Sequence, residues 1–430
     1  MKRKTLIIGA GLSGLSCAFF LKKSGKDFFL AEKKEIPGGL ASSFNLKGFT
    51  FDYSGHLLHL RWPDTSCFIK KLLKDNIVSL ERKASIYHKG NYVPYPFQAN
   101  LWALDSKDRN YCVREYLKTF DHSKKGHKDF KSWALSVFGK GICEYFMLSY
   151  NEKLWKNDLS KMSLEWLGNF LPVPNPSQIL KGAYGKNGEI FGYNGSFFYP
   201  KKGGIGYLPQ ILSKSCGKIN YTCEVLKINS SKKYAVTSNG LKISYDLLVN
   251  TSPLKEFIFK IKDAPDKIYE AAEKLKSNKV FILNLGLKRK VSPYHWIYFP
   301  QKDFPFYRLG FYDNFSPFCA PEGKGAAYAE FALKETENLN KNRAFEKTAE
   351  SLIKIGILKS EEEIEQYMWL EVPNAYAFYD FERKKTLKII TDWLESKKIF
   401  SIGRYGAWKY SFMEENIKDG KETAQKILNI

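Results

Sequence analysis

At 430 residues the chain is long enough to bury a sizeable core and to divide into two or three domains. Its 68 Lys and Arg against 45 Asp and Glu give a formal charge of +23, which would favour anionic ligands, nucleic acid or an acidic membrane face. The lysines are spread over the whole length, and no RNP, KH, zinc-finger or helix-turn-helix signature accompanies them, so no nucleic-acid partner is expected.

Thr5-Leu6-Ile7-Ile8 is a short, apolar, β-rich run that predicts one buried strand. Gly9-Ala10-Gly11-Leu12-Ser13-Gly14 follows, and Leu12–Lys23 has helical spacing, with Leu12, Leu15 and Phe19 on one face. Phe28-Phe29-Leu30-Ala31 is a second strand, ended by Glu32, 18 residues after Gly14. Strand, G-x-G-x-x-G, helix, strand and acid form the dinucleotide fingerprint with all its parts. Gly9 and Gly11 allow a tight turn and close approach of the backbone to a pyrophosphate; Gly14 lets helix and strand pack; the helix start supplies partial positive charge. Glu32 can accept from both ribose hydroxyls and would repel a 2′-phosphate, so the site suits FAD or NAD rather than NADP. The basic Met1-Lys2-Arg3-Lys4 before an apolar stretch also has the look of a secretory signal. The three glycines, Lys22-Lys23 and the lack of a small-residue cleavage pattern speak against one.

A second glycine pair, Gly38-Gly39, predicts another close passage of backbone past the pyrophosphate or flavin. Residues 51–59 read as a strand or tight turn leading to a helix over 64–73, then a strand at 85–88 and a proline-stiffened loop at 92–98. The pattern is helical from 109 to about 171, and 171–193, rich in Pro, Gly and Asn, reads as an irregular connection. A helix is expected near 208–213, then strands at 219–228, 235–237 and 241–249 forming a meander with a turn at Asn239-Gly240. Strands at 280–285, 296–299, 306–311 and 326–331, helices at 343–355 and 360–365, and a strand at 366–372 come next. A strand at 399–404 precedes Ser411-Phe412-Met413-Glu414, which reads as a capping box opening a helix to Leu428.

No run of 18 apolar residues could span a bilayer. Seven scattered cysteines without a C-x-x-C pair read as reduced thiols in a cytoplasmic protein, and six histidines in no H-x-x-x-H pattern leave no metal site. The expected class is α/β: a discontinuous Rossmann-type FAD-binding domain with an inserted helical domain and an antiparallel-sheet domain. The FAD-binding parts are expected at 1–90, 191–255 and 391–430, the helical substrate domain at 91–190 and the sheet domain at 256–390.

Several separate stretches carry a resemblance. They are Ser54-Gly55-His56-Leu57-Leu58-His59, Pro94-Tyr95-Pro96-Phe97-Gln98, Tyr150-Asn151-Glu152-Lys153-Leu154-Trp155 and Asn194 ahead of Phe198-Tyr199-Pro200. Trp296-Ile297-Tyr298-Phe299-Pro300 through Tyr307-Arg308, Tyr376, and Gly403-Arg404 through Tyr410 continue it. Nearly end to end, the chain resembles the UDP-galactopyranose mutase family, its eukaryotic-type members most. The resemblance implies an FAD-dependent isomerase of a UDP-sugar in surface polysaccharide synthesis. There, reduced flavin N5 acts as nucleophile in a pyranose–furanose ring contraction, and an external donor such as NAD(P)H reduces the flavin. His56, Arg308 and Arg404 would stand at the reacting centre. Gly9, Gly11, Gly14, Glu32, Gly38, Gly39, Gly403, Ser411 and Met413 would hold FAD. Tyr95, Phe97, Gln98, Tyr150, Asn151, Trp155, Asn194, Tyr298, Tyr376 and Tyr410 would bind the substrate, with Tyr95 or Phe97 stacked on uracil and Gln98 and Asn151 reading its edge. One departure stands out: Phe170 occupies the slot of a family arginine that contacts the diphosphate. A flavin oxidase or desaturase of the amine-oxidase or protoporphyrinogen-oxidase type would share the fold, but would line its site with an apolar or aromatic cage and no paired arginines.

Overall fold

The computed structural model describes residues 4–121, 126–168, 170–186 and 195–430. A five-stranded parallel sheet runs in the order Ile399–Ser401, Leu247–Asn250, Thr5–Ile8, Phe28–Ala31, Ile219–Asn220. Thr5–Ile8 and Leu247–Asn250 are buried along their whole length and almost wholly apolar because both faces of the sheet are covered. Ile7, Leu30 and Val249 point into one layer, packed by the helices Leu12–Lys23, Tyr207–Cys216 and Met413–Leu428. Leu6, Ile8 and Leu248 point the other way, against Leu254–Lys260, Asp266–Glu273, Arg383–Ser396 and a three-stranded antiparallel sheet. This sheet takes strands from the start, middle and end of the sequence, and its nucleotide-binding turn is closed by the helix that ends the chain.

The second large sheet has seven strands, in the order Ile364–Ala377, Ser277–Leu287, Gly325–Lys334, Arg308–Phe311, Trp296–Tyr298, Ala84–His88, Asn91–Pro94. All pairs are antiparallel except Trp296–Tyr298 with Ala84–His88. Helices Ser106–Leu117, Phe130–Ile142 and Leu148–Trp155 pack beside it and share its core. Among the described residues no helix is long and apolar enough to cross a membrane.

Several expected elements are corrected. The run 219–228 splits: Ile219–Asn220 edges the parallel sheet, and Val225–Asn229 joins Tyr234–Thr237 and Lys242–Ser244 in the meander. The run 241–249 splits likewise, since Leu247–Asn250 is wholly buried and belongs to the parallel sheet. Within the expected irregular stretch, Pro176–Tyr184 is a helix, nucleated by Pro176 in its first turn and a reciprocal Asn175–Gln178 capping box. At 360–365 only the turn Glu361–Glu363 is helical, because Glu361 and Glu362 are exposed and Glu363 is held by Arg289, so the segment offers no apolar face to bury; Ile364 already starts the strand. The helix Arg383–Ser396, unanticipated, buries Thr386, Ile390 and Leu394. The strand expected at 399–404 stops at Ser401, and Gly403–Gly406 turns helical. The Ser411 capping box does not form. Phe412 is the N-cap and Ser411 Oγ donates to Asn416 Oδ1 at 3.1 Å. Glu414, completely buried, instead accepts from Arg61 N, Trp62 N and Ser66 Oγ, at 2.5, 3.1 and 2.8 Å.

Candidate active site

A cavity of about 650 Å³ runs from the glycine-rich turns of the parallel sheet to the face of the seven-stranded sheet. At the nucleotide end Gly9 adopts φ +98°, and a Cβ on Gly14 would lie 2.0 Å from Gly9 O, so that glycine is fixed by packing. A Cβ on Gly11 would have no atom within 4 Å although Gly11 lines the cavity: this turn presents bare backbone to empty space. Gly38 and Gly39 sit at φ +117° and +61°, and Gly38 N donates to Ala10 O at 2.8 Å, stacking the second glycine turn on the first. Helices Leu12–Lys23 and Met413–Leu428 both start at the cavity without a side-chain cap, so their first N–H groups remain available to an anion. Gly403, at φ +78°, lets the C-terminal segment press on Ser13. Glu32 is 7% exposed. Its carboxylate accepts from Ala10 N at 2.6 Å and Lys34 N at 2.8 Å, which fixes it at the cavity wall with acceptor capacity left for ribose hydroxyls. Bare turns, uncapped helix starts and a held carboxylate fit the pyrophosphate and ribose of FAD. Ser411 and Met413 line the same wall.

The other end is aromatic, with two guanidiniums. Arg404 Nη2 donates to Ala375 O at 2.7 Å and Nη1 to Ser411 O at 3.4 Å, and its charge lies over the rings of Tyr376 and Tyr410 at 5.3 and 5.0 Å. Among the described residues it has no carboxylate partner. Arg308 differs: Nε and Nη2 clamp the buried carboxylate of Glu330, and Nη2 also donates to Ser54 Oγ at 3.2 Å. His56 lies in the lining with Nδ1 unpartnered among the described residues. Burial, and then the Arg404 charge, hold its imidazole down to about 4, so it is neutral at pH 7. Burial pushes the phenols of Tyr95, Tyr150, Tyr298 and Tyr410 upward, which keeps them protonated donors.

The structure brings most of the sequence-derived residues to this one cavity; of the described ones Gly14, Phe97 and Gln98 are not in its lining, Gly14 serving instead to pack the helix on the turn. Tyr95, Tyr150, Asn151, Trp155, Tyr298, Tyr376 and Tyr410 line it. Asn151 Oδ1 accepts from Trp155 Nε1 at 3.0 Å, so these two hold each other. Phe97 and Gln98 do not line it. Phe97 is fully buried against Phe146, and Gln98 Nε2 is spent on Pro172 O at 2.7 Å, because 97–99 forms a 3-10 turn directed into the helical core. Asn194 lies outside the described residues. Phe170 packs its ring on Tyr410 and Phe412, at 4.5 and 4.9 Å, in the cavity wall. Sequence reasoning missed Ser54, Glu330, Tyr307 and Tyr328 in the lining. Tyr307 OH and the indole N–H groups of Trp166 and Trp296 are buried there without partners among the described residues. The positive φ of Ser54, +71°, leaves no trace in a serine codon, and Glu330 is recognisable only through its strand register.

A Rossmann-type sheet with this nucleotide turn, joined to a large antiparallel sheet across one cavity, defines an FAD-dependent flavoenzyme of the amine-oxidase fold. The family model for flavin containing amine oxidoreductases matches residues 12–428, and the chain belongs to that family. The crystal structure of a reduced UDP-galactopyranose mutase superposes with a TM-score of 0.93, covering 100% of this chain and 94% of that one at 27% identity. An Exiguobacterium protein assigned as a protoporphyrinogen oxidase shares the fold over all of both chains, at TM-score 0.76 and 15% identity. L-amino acid oxidase of Cerastes cerastes is 22% identical over 243 residues, 54% of this chain and 46% of that protein; the match spans less than half of this curated relative.

Proposed function

We propose that the chain is an FAD-dependent mutase that interconverts the pyranose and furanose forms of a UDP-sugar for surface polysaccharide synthesis. The observation that carries this reading is the joint placement of Arg308, Arg404 and a ring of tyrosine hydroxyls on the cavity that begins at the FAD turn. An amine or polyene substrate gives such a pair of guanidiniums nothing to bind; a diphosphate does. The near-complete superposition on a reduced UDP-galactopyranose mutase supports the same reading. Bound FAD, once reduced by a donor such as NAD(P)H, supplies the nucleophilic nitrogen for the anomeric carbon.

The chain's own groups do the rest. Arg404 meets the diphosphate with an unshared charge, and Arg308 with the edge that Glu330 leaves free. Tyr150, Tyr298, Tyr376 and Tyr410 add neutral donors, which orient the leaving group without over-stabilising the ground state. Tyr95 or Tyr150 supplies the flat face for uracil. Neutral His56 offers a hydrogen bond near the reacting sugar without adding charge. The buried aromatic wall, closed by Phe170 against Tyr410, keeps water from an opened sugar.

Titration of UDP into the flavin-loaded protein tests the site. UDP is expected to perturb the flavin spectrum saturably and to be displaced by UDP-hexoses. Bleaching of oxidised flavin by an amine, amino acid or polyene panel, with no response to UDP, would establish the oxidase or desaturase reading, which the likeness to L-amino acid oxidase keeps as the alternative.

A further inference from the structure

Arg308 and Glu330 stand directly opposite each other in the antiparallel pair formed by Arg308–Phe311 and Gly325–Lys334. The contact is side-on: Nε and Nη2 donate to the two carboxylate oxygens, Nη2 at 2.8 Å. Ser54 Oγ takes a further bond from Nη2 at 3.2 Å. A guanidinium has five N–H donors, and this arrangement occupies its Nε and Nη2 edge, leaving Nη1 for the cavity. The Glu330 side chain is 3% exposed and the Arg308 side chain 20%, so the pair is sealed on one flank and open on the other. Ser54 is itself held in a left-handed conformation, φ +71°, that a serine rarely adopts. Its Oγ also accepts from Gly55 N at 2.6 Å, on the turn that delivers His56.

We infer that Glu330 is a positioning residue for the reaction, with Ser54 as its second anchor. This inference rests on reading the cavity as a UDP-sugar site. Glu330 gives up the net charge that Arg308 would add, and in exchange fixes the direction of the Nη1 edge and ties it to the His56 turn. A free Arg308 would hold a dianion more tightly in the ground state; a fixed one holds it where the reaction needs it. Binding and turnover should therefore respond to Glu330 in opposite directions, which a merely structural carboxylate would not produce.

Glu330→Gln keeps the shape, removes the charge and turns an N–H group toward one Arg308 donor. In the flavin-loaded, reduced protein, Kd for UDP should tighten by roughly threefold or more while kcat falls by roughly tenfold or more, as for a charge released from its partner. Glu330→Asp, which keeps the charge and retracts it by one methylene, should lower kcat without tightening UDP binding. Parallel loss of UDP affinity and kcat in Glu330→Gln, or an unchanged kcat, would overturn the inference. Should Glu330→Gln fail to fold, Ser54→Ala decides: a fall in kcat with Kd for UDP within about twofold supports positioning, and an unchanged kcat overturns it. A wild-type protein that binds no UDP would instead overturn the UDP-sugar reading, and this inference with it, before any variant is made.

Discussion

Arg404 and Arg308 carry the same formal charge, yet Arg404 donates to carbonyls alone while Arg308 is matched to a buried carboxylate. Arg404→Ala should therefore weaken UDP binding by about 2–4 kcal/mol with little effect on the melting temperature, as for a truncated charged contact. Arg308→Ala should do the reverse in emphasis. It leaves Glu330 buried without a partner and should cost about 3–5 kcal/mol of stability, much of it recovered in the Arg308→Ala, Glu330→Ala double variant. Calorimetric UDP titrations and thermal melts on the three variants separate these effects. Both arginines were visible in the sequence by their resemblance to a family pattern. That one of them is charge-neutralised was not, because the pairing depends on strand register across 22 residues. Tyr95 shows the same divide: its neighbours Phe97 and Gln98 look equally suited to a base, but the 3-10 turn after Pro96 sends them into the core.

The nucleotide turn permits a sharper test at the level of the element. A methyl group on Gly14 must displace the backbone of Gly9, whereas one on Gly11 enters empty cavity. Gly14→Ala should lower both melting temperature and FAD content. Gly11→Ala should lower FAD content while the melting temperature of the flavin-free protein stays as in wild type. Measurement of bound flavin and of apoprotein melts checks both, and a Gly14→Ala protein as stable as wild type would contradict the packing. The element from Thr5 to Glu32 was legible because strand period, glycine spacing and acid reinforce one another over few residues. Elements made by tertiary pairing were legible only in part. The strand Ile364–Ala377 was expected over 366–372 alone; it starts just after glutamates that read as helical, and its full length rests on the edge that Ser277–Leu287 offers. The capping box at Ser411 failed because Glu414 was drawn to the start of the helix Pro63–Leu73.

Across the molecule, buried ionisable groups set the response to acid. Burial lowers His56, His59 and His295 from 6.5 to about 4. Each binds fewer protons folded than unfolded between those values. Their contribution to stability is therefore complete above pH 6.5 and is lost as pH falls toward 4. Asp52, buried beneath Tyr199 and Ser43 and raised to about 7, works with the opposite sign, since it is protonated when folded over that window and ionised when unfolded. Burial raises Asp313 and Asp419 in the same sense as Asp52 but by less, and the three histidines outweigh them, so the melting temperature should fall between pH 6.5 and 5; an increase over that interval would contradict the burial of the histidines. On the proposed reading, Phe170 in place of a third arginine is compatible with a diphosphate substrate, since Arg404 would provide the net charge and the tyrosine hydroxyls the directions.

The central claim, that this flavoenzyme isomerises a UDP-sugar rather than oxidising a substrate, is tested most directly by anaerobic incubation of the oxidised and the chemically reduced protein with UDP-galactopyranose and related UDP-hexoses, followed by chromatographic separation of pyranose and furanose forms. Interconversion by the reduced protein alone, with no net consumption of reducing equivalents, is the expected result. Equal turnover by the oxidised protein, or stoichiometric oxidation of any of these sugars, would contradict it.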